Sequence, residues 1–295
     1  MDFFARSDLA CESFGVEDPD SEGIQWRVEH VGAITLRRLE VRTPTASQRL
    51  ERPCGVYITL ECGNVALADD DLIDTLTGLI GQKLRETAER LTGRQIGSDF
   101  CVFVAGLGNE ELTADAIGPK TVSRLTATRH LREYEAEIYR DMGCASVATL
   151  APGVLGQTGI ETQELLAAVT RRISPDLVLA VDALAARECE RLASTVQISD
   201  TGIHPGSGVG NRRSAINAET LGVPVIALGV PTVVNSSTLV YDALRAAGID
   251  AVDERIQAVL NSGKSFFVSP KESDVITAHF SKILARAIEL AFLNF

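Results

Sequence analysis

The chain has 295 residues, 45% of them apolar, and a formal net charge of −12 at pH 7. That length and apolar share supply a sizeable core and exclude global disorder, while the acidic balance argues against a nucleic-acid binder or a protein of anionic membrane surfaces. No apolar run reaches the ~20 residues of a membrane helix, and the polar opening Met1-Asp2-Phe3-Phe4-Ala5-Arg6-Ser7-Asp8 is no secretory signal.

Residues 1–30 are acidic, rich in turn formers and without clear periodicity, which predicts a loosely held leader. Alternation over 34–41 and 56–61 predicts two strands, separated by a turn containing Pro and Thr. From 69 to 91 the apolar residues Leu72, Ile73, Leu76, Leu79, Ile80, Leu84 and Ala88 fall at helical spacing, and Gly93 follows as a C-terminal cap. A strand over 101–105 leads into a Gly-bearing loop, then a helix over 115–131 and a further helical stretch near 134–141. Residues 146–158 read as a loop, 161–173 as a helix, and the continuous apolar run 177–181 as a strand covered on both faces. Strands over 195–198 and 223–228 and helices over 236–247, 251–260 and 274–293 complete a pattern that predicts one doubly wound α/β domain.

Six cysteines (Cys11, Cys54, Cys62, Cys101, Cys144 and Cys189) form no C-x-x-C pair and no cluster with histidine. They predict reduced thiols in a soluble cytoplasmic protein.

Two aspartates stand just past apolar strands: Asp115 in Gly106-Leu107-Gly108-Asn109-Glu110-Glu111-Leu112-Thr113-Ala114-Asp115, and Asp182 in Leu177-Val178-Leu179-Ala180-Val181-Asp182. In an open parallel sheet the carboxyl ends of neighbouring strands converge on one crevice, where two carboxylates can share a proton and activate a water. Each also has a purely structural reading. Asp115 falls in the first turn of the expected helix, and Asp182 is placed to cap a helix starting near Ala183. A dinucleotide site at Gly106-Leu107-Gly108 is disfavoured because Glu111 stands where the third glycine belongs. The run Gly206-Ser207-Gly208-Val209-Gly210-Asn211 lacks the Lys-Ser/Thr ending of a phosphate loop. No Gly-x-Ser-x-Gly elbow supports a triad of Ser207 with His204, and no ligand spacing suggests zinc.

These motifs together resemble the germination protease family of spore-forming bacteria. The resemblance rests on Arg6-Ser7-Asp8-Leu9-Ala10, Gly106-Leu107-Gly108-Asn109, Ala114-Asp115-Ala116-Ile117-Gly118-Pro119, Thr128-Arg129-His130-Leu131, Ala151-Pro152-Gly153-Val154, Gly159-Ile160-Glu161-Thr162 and Val181-Asp182-Ala183-Leu184-Ala185. The longest block is Gln197-Ile198-Ser199-Asp200-Thr201-Gly202-Ile203-His204-Pro205 running on to Asn211, followed by Gly222-Val223-Pro224-Val225-Ile226-Ala227. Ala114, where a proline is common, and the acidic Glu110-Glu111 pair are small departures at the rim of the site.

The resemblance implies a fold similar to hydrogenase maturation proteases: α/β, doubly wound, with a mostly parallel sheet and helices on both faces. It implies an endopeptidase that degrades small acid-soluble spore proteins at germination, made as a zymogen in the forespore and assembled as a homotetramer. It carries the catalytic roles to Asp115 and Asp182, with no cofactor and no metal. It also implies a propeptide over 1–8 cut at Asp8–Leu9, leaving a single peptidase domain over 9–295, since the family cuts after an acidic residue followed by a bulky apolar one and then alanine. Phe3 and Phe4 would pack near the cleft, and Asn109 and His204 would line it. The alternatives are a metal-dependent maturation-type peptidase with Asp115, Asp182 and His204 as ligands, and a non-catalytic protein that binds spore proteins.

Overall fold

In the computed structural model the described residues are 7–13, 22–206, 213–249, 253–260 and 266–293. A two-residue turn at Gly32-Ala33 joins strands β1 (Ile24–Val31) and β2 (Ile34–Val41) into a hairpin. Helix α1 (Pro44–Leu50) follows, with Thr43 capping it by accepting from the Ala46 amide, and then β3 (Gly55–Glu61). Helix α2 (Asp70–Thr92) has the expected boundaries: Asp69 accepts from the Leu72 amide and Gly93 closes the last turn in the left-handed region. After β4 (Cys101–Gly106) come three short helices, α3 (Ile117–Val122), α4 (Arg129–Tyr134) and α5 (Ala136–Met142), then β5 (Ser146–Leu150). Helices α6 (Leu155–Thr158) and α7 (Thr162–Ile173) lead into β6 (Leu177–Ala186) and β7 (Thr195–Ser199). Helix α8 (Ala218–Leu221), β8 (Val225–Asn235), α9 (Ser236–Ala246), α10 (Glu254–Leu260), β9 (Phe267–Val268) and α11 (Ser273–Phe292) complete the described chain.

Among the described residues the strands form one sheet in the order β1-β2-β3-β7-β8-β6-β4-β5, with β9 beside β8. Strands β8, β6, β4 and β5 run parallel. The wing β1-β2-β3-β7 joins β8 through antiparallel pairings. Both faces of the parallel block are covered, which is why its strands are apolar without a break. Val102, Val104, Leu177, Leu179 and Val181 face α2, α3 and α11, whereas Phe103, Ala105, Val178 and Ala180 face α7 and α8. This is a doubly wound α/β architecture. Its topological switch lies at β4, because the chain leaves β4 for β5 on one side and returns to β6 on the other.

Several expectations are corrected. The leader is held in part: Leu9, Ala10 and Cys11 are buried, and 24–31 is a strand that Gln25, Arg27, Glu29 and His30 disguised as polar loop. The supposed turn after β2 contains α1. The single helix expected over 115–131 is interrupted, because the Thr128 hydroxyl donates to the Ala145 carbonyl and accepts the Val147 amide, fixing the chain to β5. Residues 146–150 are a strand and not a loop, since pairing with β4 supplies what five residues cannot supply alone. Finally β6 runs on to Ala186, because Ala183–Ala186 find partners on β8.

Candidate active site

The extension of β6 removes the capping role of Asp182. No helix begins at Ala183, and Asp182 lies mid-strand opposite Gly229 of β8, only 5% exposed. Its Oδ1 accepts the Ala183 amide at 2.9 Å. Asp115 is also no cap, for its Oδ2 accepts the Asn109 amide across the loop at 2.8 Å rather than an amide of α3. The loop is folded back tightly to bring this about. Gly108 has φ +110, and a Cβ there would stand 2.0 Å from the Asp115 carbonyl oxygen. Behind it Gly118 lets α3 lie directly on the strand ends, for a Cβ there would stand 2.3 Å from the Leu107 carbonyl oxygen. The glycines that suggested a nucleotide loop therefore serve to seat an aspartate.

Asp115 and Asp182 line one cavity of about 400 Å³. Leu107, Leu112, Val154, Val233 and Phe267 give it apolar walls, and Arg213 is the cation among its described lining residues. Arg213 approaches Glu161 at only 4.0 Å. Burial raises the Asp115 carboxyl above its ordinary value, against the Asn109 amide and the Arg213 charge, which lower it. Burial drives Asp182 well above its ordinary value, and the charges of Asp115 and Asp8 push in the same direction. Burial disfavours the charged form of both carboxyls, and among the described residues Asp182 is the harder of the two to ionise.

The segment around Asp8 is bound against the same cavity. Asp8 donates its amide to the Ala185 carbonyl and accepts the Ala185 amide on Oδ2, both at 2.9 Å, where the ladder between β6 and β8 shifts register. Arg52 holds the carbonyls of three successive residues: Nη2 donates to Ser7 and to Leu9, and Nη1 donates to Asp8 at 3.2 Å. Gln197 Nε2 also donates to the Asp8 carbonyl, at 3.1 Å, while its Oε1 accepts the Ala10 amide at 2.7 Å. Leu9 is fully enclosed, packed with Leu184, Ala186 and Val234.

Of the remaining expected site residues, Asn109 touches Asp115 through its amide, while its side-chain oxygen accepts from Gln157. His204 lines a neighbouring cavity of about 60 Å³ with Asp8, Arg52 and Gln197, and does not line the cavity of the two aspartates. Phe3, Phe4 and Ser207 lie outside the described residues. Among the described residues no group of three or more His, Cys, Asp or Glu side chains comes together as a metal site, and no helix is long and apolar enough to cross a membrane. Sequence reasoning did not single out Arg52, Gln197 or Arg213.

Residues 8–247 match the family model described as germination protease. A germination protease of Caldanaerobacter subterraneus subsp. tengcongensis is 37% identical over 97% of this chain and 93% of its own length. One from Clostridium acetobutylicum is 36% identical, covering 97% and 94% respectively. One from Bacillus pumilus reaches 42% over 81% of this chain and 66% of its own length. Among solved structures, a [NiFe] hydrogenase maturation protease, HycI of Thermococcus kodakarensis, aligns with a TM-score of 0.35 at 16% identity, over 64% of this chain and 92% of that one.

Proposed function

From the premise that this chain belongs to the germination protease family, a family of peptidases, we propose that it cuts small acid-soluble spore proteins by means of Asp115 and Asp182. The observation that carries the reading is their joint lining of one cavity, in which burial and the charge of Asp115 make Asp182 hard to ionise. Asp115, ionised, takes a proton from a water as its oxygen bonds to the scissile carbonyl carbon. Asp182 gives its proton to the carbonyl oxygen. The carbon–nitrogen bond then breaks as the proton gained by Asp115 passes to the leaving amine and one hydroxyl of the tetrahedral carbon returns its proton to Asp182, leaving the new carboxyl group. Arg213, on the cavity wall, is suited to meet an acidic side chain of the substrate.

The same reading includes self-processing at Asp8–Leu9, which would make residues 1–8 the leader of a zymogen of the forespore. It is supported by the sequence Asp8-Leu9-Ala10. It is supported further by the two donors, Arg52 and Gln197, on the Asp8 carbonyl, since donors on that oxygen favour the charge it acquires when water adds. A homotetramer belongs to this reading too, and light scattering should then give four times the chain mass of 31.6 kDa. The decisive experiment incubates the protein with a purified small acid-soluble spore protein and follows fragments by mass spectrometry. Discrete cleavage by wild type and none by Asp182→Asn is expected. Binding without fragments would leave only a carrier.

A further inference from the structure

Among the described residues no cation contacts the Glu12 carboxylate. Among the described residues its oxygens accept only the Ser7 hydroxyl and the amides of Arg187 and Glu188, the latter two at 2.8 Å each. Burial, with the nearby charge of Glu188, leaves it harder to ionise than an ordinary glutamate. The neighbouring arginines are engaged elsewhere: Arg187 reaches Glu188, and Arg191 binds both Glu188 and Glu61. Nothing in the chemistry at Asp115 and Asp182 uses Glu12, so its isolation asks for a reason.

The reason lies one atom away. The Ser7 hydroxyl that donates to Glu12 also accepts the amide of Leu9, at 2.9 Å. A single oxygen therefore separates the Leu9 nitrogen from the Glu12 carboxylate. Hydrolysis of the Asp8–Leu9 bond would place the water's oxygen on Asp8 as a second carboxylate and leave an amine on Leu9, which takes up a proton at neutral pH. That ammonium would arise in a fully enclosed residue, where an unpaired charge is costly. Ser7 would depart with the leader and vacate the space between the new cation and the Glu12 carboxyl.

Resting on the self-processing reading, we propose that Glu12 is the receptor for the ammonium of Leu9 once the leader is cut, a positioning residue that ties the mature N-terminus to the Arg187–Glu188 end of β6. Strand β6 carries Asp182, so the tie bears on the geometry of the cleft. Before the cut, Ser7 occupies the place of the cation. After it, the mature chain holds an ion pair that the uncut chain cannot make.

The test follows acylation of the Leu9 amine by a succinimidyl ester, read by peptide mass spectrometry, on protein incubated until N-terminal sequencing returns Leu9. The folded wild-type amine should react at least ~10-fold more slowly than in denaturant, since each unit of raised amine pKa removes about tenfold of the free base. Glu12→Gln should restore most of that rate and Glu12→Asp only part of it, with lysine labelling unchanged. Equal protection in wild type and Glu12→Gln would reduce the effect to burial and overturn the proposal. Should Glu12→Gln fail to fold, the nitrogen resonance of Leu9 in processed wild type decides. Titration well above the ordinary α-amine value of about 8 supports the pair, and titration at or below it does not. A wild-type chain that keeps Met1 would overturn self-processing alone. The Glu12 tie would then be read on a chain whose first eight residues are replaced by a removable fusion ending before Leu9.

Discussion

Two regions of this sheet hold buried or half-buried carboxylates, and they treat them in opposite ways. In the antiparallel wing Glu61 is pushed up by burial, yet hydrogen bonds from Arg37 and Arg191 prevail and bring it below its ordinary value. Nearby, Asp200 accepts the Val56 amide and pairs with Arg90 at 2.6 Å. At the ends of the parallel strands the charged neighbours that act on Asp182, among the described residues, are Asp115 and Asp8, and its carboxyl is raised. Arg213 reaches this cavity and acts on Asp115, but it is not among the groups that act on Asp182. Carboxylates that face one another in a cavity are the arrangement the proposed proton transfer needs.

The sharpest way to break this contrast is to neutralise each kind. Asp115→Asn and Asp182→Asn should each lose roughly 10²–10⁴-fold in kcat/KM on a spore-protein substrate, while Glu61→Gln keeps its activity. Near-normal cleavage by either asparagine variant, with an unchanged circular dichroism spectrum, would remove that aspartate from the chemistry. Next in size is Gly108→Ala. Its left-handed backbone costs roughly 1–2 kcal/mol for any other residue, and the methyl would displace the Asp115 carbonyl. A shift of the carboxylate by about 1 Å costs ~10²-fold in rate, so kcat should fall well beyond the loss of thermal stability.

The pH dependence separates the regions by sign. Asp182 has a folded pKa above its ordinary 3.8, so its contribution to stability is full below that value and is lost as pH rises through the folded pKa. Asp182→Asn should therefore melt higher than wild type, with a gap that widens above pH 3.8. Glu61 behaves in reverse: its contribution is present above its ordinary 4.5 and is lost as pH falls through the lowered folded value. Activity should follow a bell, the acid limb set by ionisation of Asp115 and the alkaline limb by loss of the Asp182 proton. In the uncut chain Asp8→Asn removes one of the charges that raise Asp182, so the Asp182 carboxyl should there ionise at lower pH, as followed by its carbon resonance; an unmoved titration would mean the leader carboxylate does not act on Asp182. The smallest effect is the stability of Glu61→Gln, about 1 kcal/mol near neutral pH for a pair still partly screened by solvent, readable by thermal melting.

How far these features could be read in advance depended on whether a residue's role was local. Helix α2 announced itself because Asp69, the apolar stripe from Leu76 to Leu84, and Gly93 are all within one segment. That Asp115 and Asp182 share a cavity could be anticipated because each follows a run of apolar residues that forms a strand, although Asp182 proves to lie within its strand. The wing hairpin was not, since β1 exposes most of its residues and only β2 opposite explains it. The end of β6 misled because Ala183, Ala185 and Ala186 favour a helix, and their strand state comes from β8. The roles of Arg52 and Gln197 were invisible for a related reason: Gln197, though it opens the longest block of the resemblance, meets the Asp8 carbonyl across 189 residues of sequence, and a block of residues does not name so distant a partner.

The most direct test of the central claim is the protonation of Asp182 itself, followed through the carbon resonance of its carboxyl as pH is raised past the ordinary aspartate range. The account predicts that Asp182 stays protonated after Asp115 has ionised, and that Asp115→Asn lets it ionise at lower pH, because the Asp115 charge is one cause of its raised pKa. Ionisation of Asp182 together with or before Asp115, unaffected by Asp115→Asn, would contradict it.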